Sequence, residues 1–388
     1  MNRLSPRIAA EFADIVYEVM SPDPAGGVRV LASPEIRRSF DINLDEGPIT
    51  GRTGGLFGLY RKTTGFALVG EGKNDYRGHH VIAVRGTKAN HDWLTNGNVG
   101  LSASTNGSSV HAGFNKTFES IRPLLERQLS PKVSRGPVLG IHCVGHSLGG
   151  ALASLTADWV KQRYGKNVNL YTFGAPRVGL NGYAGKSTFE VDNHFRCTHG
   201  ADPVPYVPLW PFMHAPDSGF EYRLDAGSGI SKDAHGMGLT EKPGYRNTAN
   251  SSEWSHLRQA SINHLNRPVR LDYERRHEAS FSTRWADKIS AALITLLKDS
   301  GYYTAVMAQA AFGTTLTFYD LLARTLEQVA SASTRFAEQT RGLLGHMLAF
   351  ARVAITTVTD LTFRFIRWVF DQTAGALYRA VRQAIERT

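Results

Sequence analysis

One stretch decides the fold of this chain: Val138-Leu139-Gly140-Ile141-His142-Cys143-Val144-Gly145-His146-Ser147-Leu148-Gly149-Gly150-Ala151-Leu152-Ala153. An apolar run typical of a buried strand enters a Gly-His-Ser-Leu-Gly turn, and a helical run follows it to about Tyr164. This order predicts a nucleophile elbow, in which the flanking glycines make room for a sharp turn. Ser147 is then presented at a helix N-terminus, where free N–H groups and the helix dipole favour a developing negative charge. A glycine-rich turn with an incidental serine is the alternative.

Length and charge limit the classes of protein that remain. The chain has 388 residues, enough for one large domain with an appendage or for two domains. A hydrophobic content of 42% and a charged content of 20% are ordinary for a folded protein. The net charge of +10 favours contact with anionic lipid or nucleic acid. The sequence has no lysine-rich run with interleaved aromatics, so we expect no nucleic-acid partner.

Cysteine usage and the N-terminal residues bear on localisation. The only two cysteines, Cys143 and Cys197, each lie in an apolar run and form no disulfide framework, which favours a reducing compartment. The apolar run from Ile8 to Met20 carries the acidic residues Glu11, Asp14 and Glu18. It therefore predicts an amphipathic helix and not a cleaved signal peptide. We therefore expect a protein that is cytoplasmic as made and that uses a leaderless route if it is exported.

Two strands, 65–70 and 79–84, are predicted to form a hairpin upstream of the elbow. The second strand ends at Thr87. An acyl hydrolase stabilises its oxyanion with the N–H of the residue after the serine, here Leu148, and with a donor from a separate loop. Thr87 is the candidate for that second donor, because its hydroxyl and N–H can point at one oxygen. A β-turn with a solvated threonine is the alternative.

Two further strands, within 168–179 and 193–205, break into loops on the edge of the sheet that carries the elbow. Asp202 follows the second of these strands, and Pro203 and Pro205 restrict its loop, which suits a carboxylate that orients an imidazole. A turn or capping aspartate is the alternative. The predicted fold class is α/β, with a mostly parallel sheet.

Five ordered motifs resemble one family. They are Val-Arg-Gly-Thr followed by Asp-Trp, Val-His-Ala-Gly-Phe, Gly-His-Ser-Leu-Gly-Gly-Ala-Leu-Ala, Tyr-Thr-Phe-Gly-Ala-Pro-Arg-Val-Gly and His-Gly-Ala-Asp-Pro-Val-Pro. The pattern, over about residues 5 to 265, resembles the class 3 lipases, the α/β-hydrolases that include fungal triacylglycerol lipases. The resemblance implies an α/β-hydrolase core in a domain over 1–280. It also implies serine acyl hydrolysis of a lipid substrate, with no metal and no organic cofactor.

The base of the implied Ser-Asp-His triad must follow Asp202 in the chain. Among the later histidines, His256 resembles the family's final histidine, because it enters a helix 54 residues after Asp202, although the aromatic residue that usually follows is missing. We therefore expect His256 to be the base. His264, His277 and His235 remain alternatives.

The segment 281–388 differs from the rest in composition and lies outside the resemblance. Its apolar residues recur at three- and four-residue steps, which predicts an amphipathic helical region, as in Leu344, Leu348, Ala351, Ile355 and Val358. From Arg335 onward it has eight arginines and four acidic residues. A helical bundle packed on the core is one interpretation; a module that lies on an anionic membrane surface is the other.

These observations support a leading hypothesis and two alternatives. The leading hypothesis is a serine lipase or phospholipase that acts on membrane glycerolipids. A leaderless basic lipase also resembles antibacterial effectors, which implies toxicity to a target cell and an inhibitory immunity protein as a partner. One alternative is a membrane-disrupting or scaffold protein that acts through its helical tail while the hydrolase core is inert. The other is a soluble esterase for small or plant-wall esters. The polar segment 88–109 argues against a strongly apolar lid.

Overall fold

The computed structural model of the chain describes residues 3–20, 30–42, 44, 47–53, 62–86, 100–225, 227, 229–258, 261, 268–311, 318–354, 357–358 and 360–387. Its strands are β1 (Phe40–Ile42), β2 (Ile49–Thr53), β3 (Lys62–Gly72), β4 (His79–Val84), β5 (Leu101–Ala103), β6 (Ser109–His111), β7 (Gly140–His146), β8 (Val168–Phe173), β9 (Asn193–Thr198) and β10 (Tyr222–Arg223). Its α-helices are α1 (Pro6–Ile15), α2 (Pro34–Ser39), α3 (Ala112–Ser134), α4 (Leu148–Tyr164), α5 (Asn181–Glu190), α6 (Tyr245–Thr248), α7 (Trp254–Arg258), α8 (Thr283–Asp299), α9 (Tyr303–Ala311), α10 (Phe318–Ala332), α11 (Thr334–Phe350) and α12 (Phe363–Arg387).

An eight-stranded sheet forms the centre of the molecule. Its strand order is β1-β3-β4-β7-β8-β9-β10, and β2 also pairs with β3. The pairs from β4 through β10 are parallel, whereas β1, β2 and β4 pair with β3 in antiparallel fashion. The strands β4, β7 and β8 are buried along their whole length, as expected of parallel strands with helices on both faces. The antiparallel pairing of β3 with β4 confirms the predicted hairpin.

Two apolar layers cover this sheet. On one face α3 and α4 pack through residues such as Phe118 and Leu152, and on the other α1 packs through Phe12. The helix α1 begins where Ser5 accepts a hydrogen bond from the N–H of Ile8 and continues as a 3-10 helix over Val16–Met20. This is the α/β-hydrolase core that the motifs predict, followed by the predicted helical C-terminal region.

The five helices α8 to α12 form the helical annex, 283–387. Their apolar faces meet in one buried cluster, in which Leu344, Leu348 and Val369 are at most 1% exposed. Val204 and Trp210 of the hydrolase core belong to the same cluster. The apolar stripe of the annex is thus buried against the core, as the bundle interpretation expects. The domain boundary at residue 280 stays a prediction.

Two stretches of the annex, residues 301–319 and 342–370, approach the apolar character of a membrane-spanning segment in the sequence. Among the described residues, no helix combines the length and the hydropathy needed to cross a bilayer. The second stretch is interrupted, since α11 ends at Phe350 and α12 begins at Phe363.

Candidate active site

The nucleophile elbow at Ser147 is a tight turn that depends on the glycines beside it. Ser147 follows β7 directly and precedes α4, with φ 57° and ψ −133°, a conformation that costs a non-glycine residue about 1–3 kcal/mol. A Cβ on Gly149 would lie 2.2 Å from the carbonyl oxygen of Val84, so only glycine fits where the helix crosses β4. The N–H of Ser147 donates to the carbonyl of Phe173 at 3.0 Å, which fixes the turn to β8.

His235 lies beside the serine. It ends a short 3-10 helix, Lys232–His235, and its Nε2 is 2.8 Å from Ser147 Oγ. Its Nδ1 is 2.9 Å from Asp202 Oδ2 and 3.1 Å from Oδ1. The acidic side chain accepts from Nδ1–H, so Nε2 is left to accept the serine proton. The imidazole therefore joins the hydroxyl and the carboxylate in one hydrogen-bonded line.

Asp202 is fully buried, and its carboxylate is held from three sides. Besides His235, the N–H of Val204 donates to Oδ1 at 2.9 Å and the hydroxyl of Tyr245 donates to Oδ2 at 2.7 Å. Burial, together with the charge of Asp202, raises the pKa of Tyr245 well above its usual value, so this hydroxyl stays protonated and remains a donor. Three donors offset the loss of water around a buried carboxylate.

The two predicted oxyanion donors have different standing. Leu148 is the first residue of α4, and an N–H in the first turn of a helix has no partner within the helix. Its N–H is therefore available to a negatively charged oxygen beside Ser147. Thr87 lies outside the described residues, and so does most of the polar segment 88–109. The described part of that segment, from residue 100, includes β5 and the first residue of β6, which pairs with it.

The structure corrects the predicted base. His256 lies on α7, is exposed, and has its Nδ1 3.4 Å from the hydroxyl of Ser251, with no contact to Ser147 or Asp202. The reason is packing, because Trp254 of the same helix lies against Phe195 on β9, with the two ring centroids 4.3 Å apart. This contact holds α7 beside β9 and not beside Ser147. The position that His256 was expected to take is occupied by His235, which was one of the alternatives.

The remaining alternatives do not reach the site either. His277 is exposed on the 3-10 helix Tyr273–Glu278, and His264 lies outside the described residues. Sequence reasoning passed over His235 because it follows Asp202 by only 33 positions, in a stretch with no strong periodicity. The order Ser, Asp, His was the one signal that kept it among the candidates.

Within the part of the chain that the structure describes, no three His, Cys, Asp or Glu side chains are grouped so as to hold a metal ion.

Together, the mostly parallel sheet, the elbow and the hydrogen-bonded Ser-His-Asp line define the architecture of an α/β-hydrolase. Residues 81–212 match the family model described as Lipase (class 3). This match lies within the hydrolase core and covers 132 of the 388 residues.

The relatives include proteins with two kinds of lipid substrate in their names. A secreted mono- and diacylglycerol lipase 1 from Fusarium solani is 36% identical over 155 residues, which are 39% of this chain and 46% of that protein. A phospholipase A1-II 1 from Oryza sativa subsp. indica is 30% identical over 41% of this chain and 46% of its own length. The chain thus spans less than half the length of these curated relatives. Among solved structures, a mono- and diacylglycerol lipase from Aspergillus oryzae is similar with a TM-score of 0.45 and 22% identity, covering 65% of this chain and 93% of that one.

Proposed function

We propose that this protein is a serine carboxylic ester hydrolase that acts on glycerolipids through Ser147, His235 and Asp202. The observation that carries the proposal is the continuous hydrogen-bonded line at the elbow, 2.8 Å from hydroxyl to imidazole and 2.9 Å from imidazole to carboxylate. These are the distances at which a base takes a serine proton without rearrangement. The match of residues 81–212 to the class 3 lipase model supports ester hydrolysis as the reaction.

In the proposed reaction, His235 Nε2 takes the hydroxyl proton as Ser147 Oγ attacks the ester carbonyl carbon. The carbonyl oxygen becomes an oxyanion, which the N–H of Leu148 stabilises, with Thr87 as the second donor. Asp202 stabilises the imidazolium. The bond between the acyl carbon and the alcohol oxygen then breaks as His235 returns the proton to that oxygen. Water, deprotonated by His235, releases the fatty acid from the acyl-enzyme.

Replacing Ser147 with alanine tests this reaction. Because the hydroxyl is the attacking atom, we expect Ser147→Ala to reduce ester hydrolysis by about 10⁶-fold. The protein should stay folded, since the change removes one side-chain hydrogen bond, between Ser147 Oγ and His235 Nε2, at a cost of about 1–3 kcal/mol. Hydrolysis of an emulsified acylglycerol, followed by titration of released acid, gives the rate. A variant that retains the wild-type rate refutes the assignment.

Phospholipid of a membrane is the more specific substrate that we propose. It is supported by the net charge of +10, by the excess of arginine after residue 335, and by the phospholipase among the relatives. Vesicles of anionic phospholipid and emulsified diacylglycerol, each treated with wild type and Ser147→Ala, separate the two substrates by mass spectrometry of the products. Formation of lysophospholipid by wild type but not by Ser147→Ala supports the proposal. Release of fatty acid from diacylglycerol alone contradicts it.

An antibacterial role is a further part of the proposal and rests on the basic character of the sequence. Expression in a bacterium with and without a periplasmic leader tests it. Growth arrest by the periplasmic form that depends on Ser147 supports the role, and a harmless periplasmic form speaks against it. Arrest that persists in Ser147→Ala favours the alternative in which the annex acts on membranes by itself. That alternative is less well supported, because the apolar faces of the annex pack against one another and against the core.

A further inference from the structure

A second hydrogen-bonded chain reaches the base from behind. His146, the second residue of the Gly-His-Ser-Leu-Gly turn, is fully buried on β7. Its Nε2 is 2.8 Å from the backbone carbonyl oxygen of His235, and its Nδ1 is 2.9 Å from the hydroxyl oxygen of Tyr17. The rings of His146 and His235 also lie 4.6 Å apart, centroid to centroid. The residue before the nucleophile thus contacts both the backbone and the ring of the base.

The direction of each hydrogen bond follows from its partners. A carbonyl oxygen can only accept, so Nε2 of His146 carries a proton and donates it to His235. Burial, and then the charge that His235 acquires when protonated, lower the pKa of His146 well below its usual value, so its ring is neutral. A neutral ring with a proton on Nε2 has a bare Nδ1, which accepts from the Tyr17 hydroxyl. Burial raises the pKa of Tyr17, which keeps that hydroxyl a donor.

The chain continues to the strand that leads to the candidate oxyanion loop. Tyr17 lies on the 3-10 helix Val16–Met20, and its hydroxyl also has a hydrogen bond with the backbone of Gly86. A Cβ on Gly86 would lie 2.7 Å from this hydroxyl oxygen and 3.3 Å from the Cβ of Ser147. Gly86 directly precedes Thr87. One tyrosine from the N-terminal region therefore ties the end of β4 to His146 and, through it, to His235.

We propose that His146 and Tyr17 are positioning residues that hold the imidazole of His235 in line with Ser147. His146 Nε2 donates to the backbone carbonyl of His235, and the Tyr17 hydroxyl donates to His146 Nδ1. His235 ends a short 3-10 helix in a long loop, and loops do not by themselves fix a side chain to a fraction of an ångström. Tyr17 stabilises this tautomer of His146, because its hydroxyl donates a hydrogen bond to the unprotonated Nδ1 and the ring proton stays on Nε2. This inference rests on the proposed ester hydrolysis.

The same strand offers a matched control. His142, four residues earlier on β7, is also fully buried and has its Nδ1 3.3 Å from the hydroxyl of a buried tyrosine, Tyr171. The hydroxyl of Tyr171 accepts from the N–H of Leu4, and His142 Nε2 lies 3.1 Å from His79 Nδ1. This pair lies toward the other end of the strand and contacts none of Ser147, His235 and Asp202. Tyr17→Phe and Tyr171→Phe thus each remove one buried tyrosine hydroxyl bonded to a β7 histidine.

The test compares the two tyrosine variants in the full-length protein, with kcat and KM for a soluble short-chain ester and the rate at which a fluorophosphonate labels Ser147. We expect Tyr17→Phe to lower kcat and the labelling rate about 10-fold with KM unchanged, because a misplaced base affects proton transfer and not substrate binding. Tyr171→Phe should leave kcat and labelling at the wild-type level, whatever its effect on the unfolding midpoint. Equal kcat values in the two variants overturn the inference.

Two substitutions of His146 extend the test. His146→Leu removes the donor and should lower kcat about 100-fold, whereas His146→Gln keeps an N–H near the position of Nε2 and should recover part of that loss. If His146→Leu does not fold, the tyrosine pair still decides. Wild-type protein without esterase activity refutes the proposed function. Active wild type with an unaffected Tyr17→Phe refutes only the positioning role.

Discussion

The hydrolase core behind the elbow and the helical annex bury different kinds of side chains. Behind the elbow, the core buries a polar network in which Ser147, His235, Asp202, His146 and Tyr17 each have a hydrogen-bond partner. The annex buries mainly leucine, valine, alanine and aromatic side chains. A polar network in a low-dielectric interior requires every group to be placed accurately, because an unpaired group costs about 1–3 kcal/mol. An apolar cluster tolerates exchange of similar residues and so specifies much less.

This difference teaches where function is concentrated. Ser147 is one of the three described non-glycine residues with positive φ, and it carries the proposed chemistry. Surrounding structure has to hold such a residue in place, which the glycines of the elbow and the hydrogen bond to β8 do. The annex instead covers Val204 and Trp210 of the core, so we expect it to act on stability and not on the chemical step.

The largest expected effect distinguishes two histidines of the core. His235→Ala should lower kcat about 10⁴- to 10⁶-fold, since it removes the base, while His256→Ala should stay within about two-fold of wild type because that side chain is exposed. Initial rates on a soluble ester measure both. The reverse ranking would restore His256 as the base and would contradict the geometry described above.

A leucine of the annex should separate stability from chemistry. Leu344 is fully buried, so Leu344→Ala should lower the free energy of unfolding by about 2–5 kcal/mol while kcat per folded molecule stays unchanged. Urea unfolding gives the first quantity and active-site titration with a fluorophosphonate normalises the second. Leu139→Ala is the control, because this leucine, which lies outside the annex, is 56% exposed and its loss should change the free energy of unfolding little. A fall in kcat with Leu344→Ala would show that the annex contributes to the chemical step.

The smallest effect concerns pH and a buried carboxyl group of the core. Burial raises the pKa of Asp158 on α4 to about 7, and its Oδ1 accepts from the Ser187 hydroxyl at 2.8 Å. The folded state thus binds this proton more tightly than the unfolded state, so the carboxyl group lowers stability as pH rises from about 4 to about 7. Asp158→Asn keeps an acceptor for Ser187 without the charge. Its free energy of unfolding relative to wild type should increase between pH 5 and pH 8 by about 2–3 kcal/mol.

Urea unfolding of wild type and Asp158→Asn at pH 5 and pH 8 measures that increase, and the titrations that both proteins share cancel in the difference. An unchanged difference between the two pH values would show that Asp158 does not keep its proton in the folded state. The annex has a comparable group, since burial raises the pKa of Asp287 on α8 to about 7.

Local pattern was enough for most of the core. The hairpin of β3 and β4, the elbow and the long helix after it were predictable, because their period and turn residues lie within one contiguous segment. Short elements were not. The stretch from Ser21 to Gly58 is rich in proline, glycine and aspartate and predicts irregular structure, yet it contains α2 and the strands β1 and β2, which extend the sheet. Strands of three to five residues have too few positions for alternation to be visible, and pairing with β3 stabilises them.

By itself, the sequence determined the strand-turn-helix that presents Ser147, the loop that holds Asp202 and the amphipathic character of the annex. Each depends on residues that are neighbours in the chain, so local sterics and periodicity suffice. Only the tertiary structure decided that His235 meets Ser147, that His146 contacts the base, and that the apolar face of the annex packs on the core. These contacts join residues 88, 89 and more positions apart, and packing of the whole molecule selects among partners that local sequence leaves equivalent.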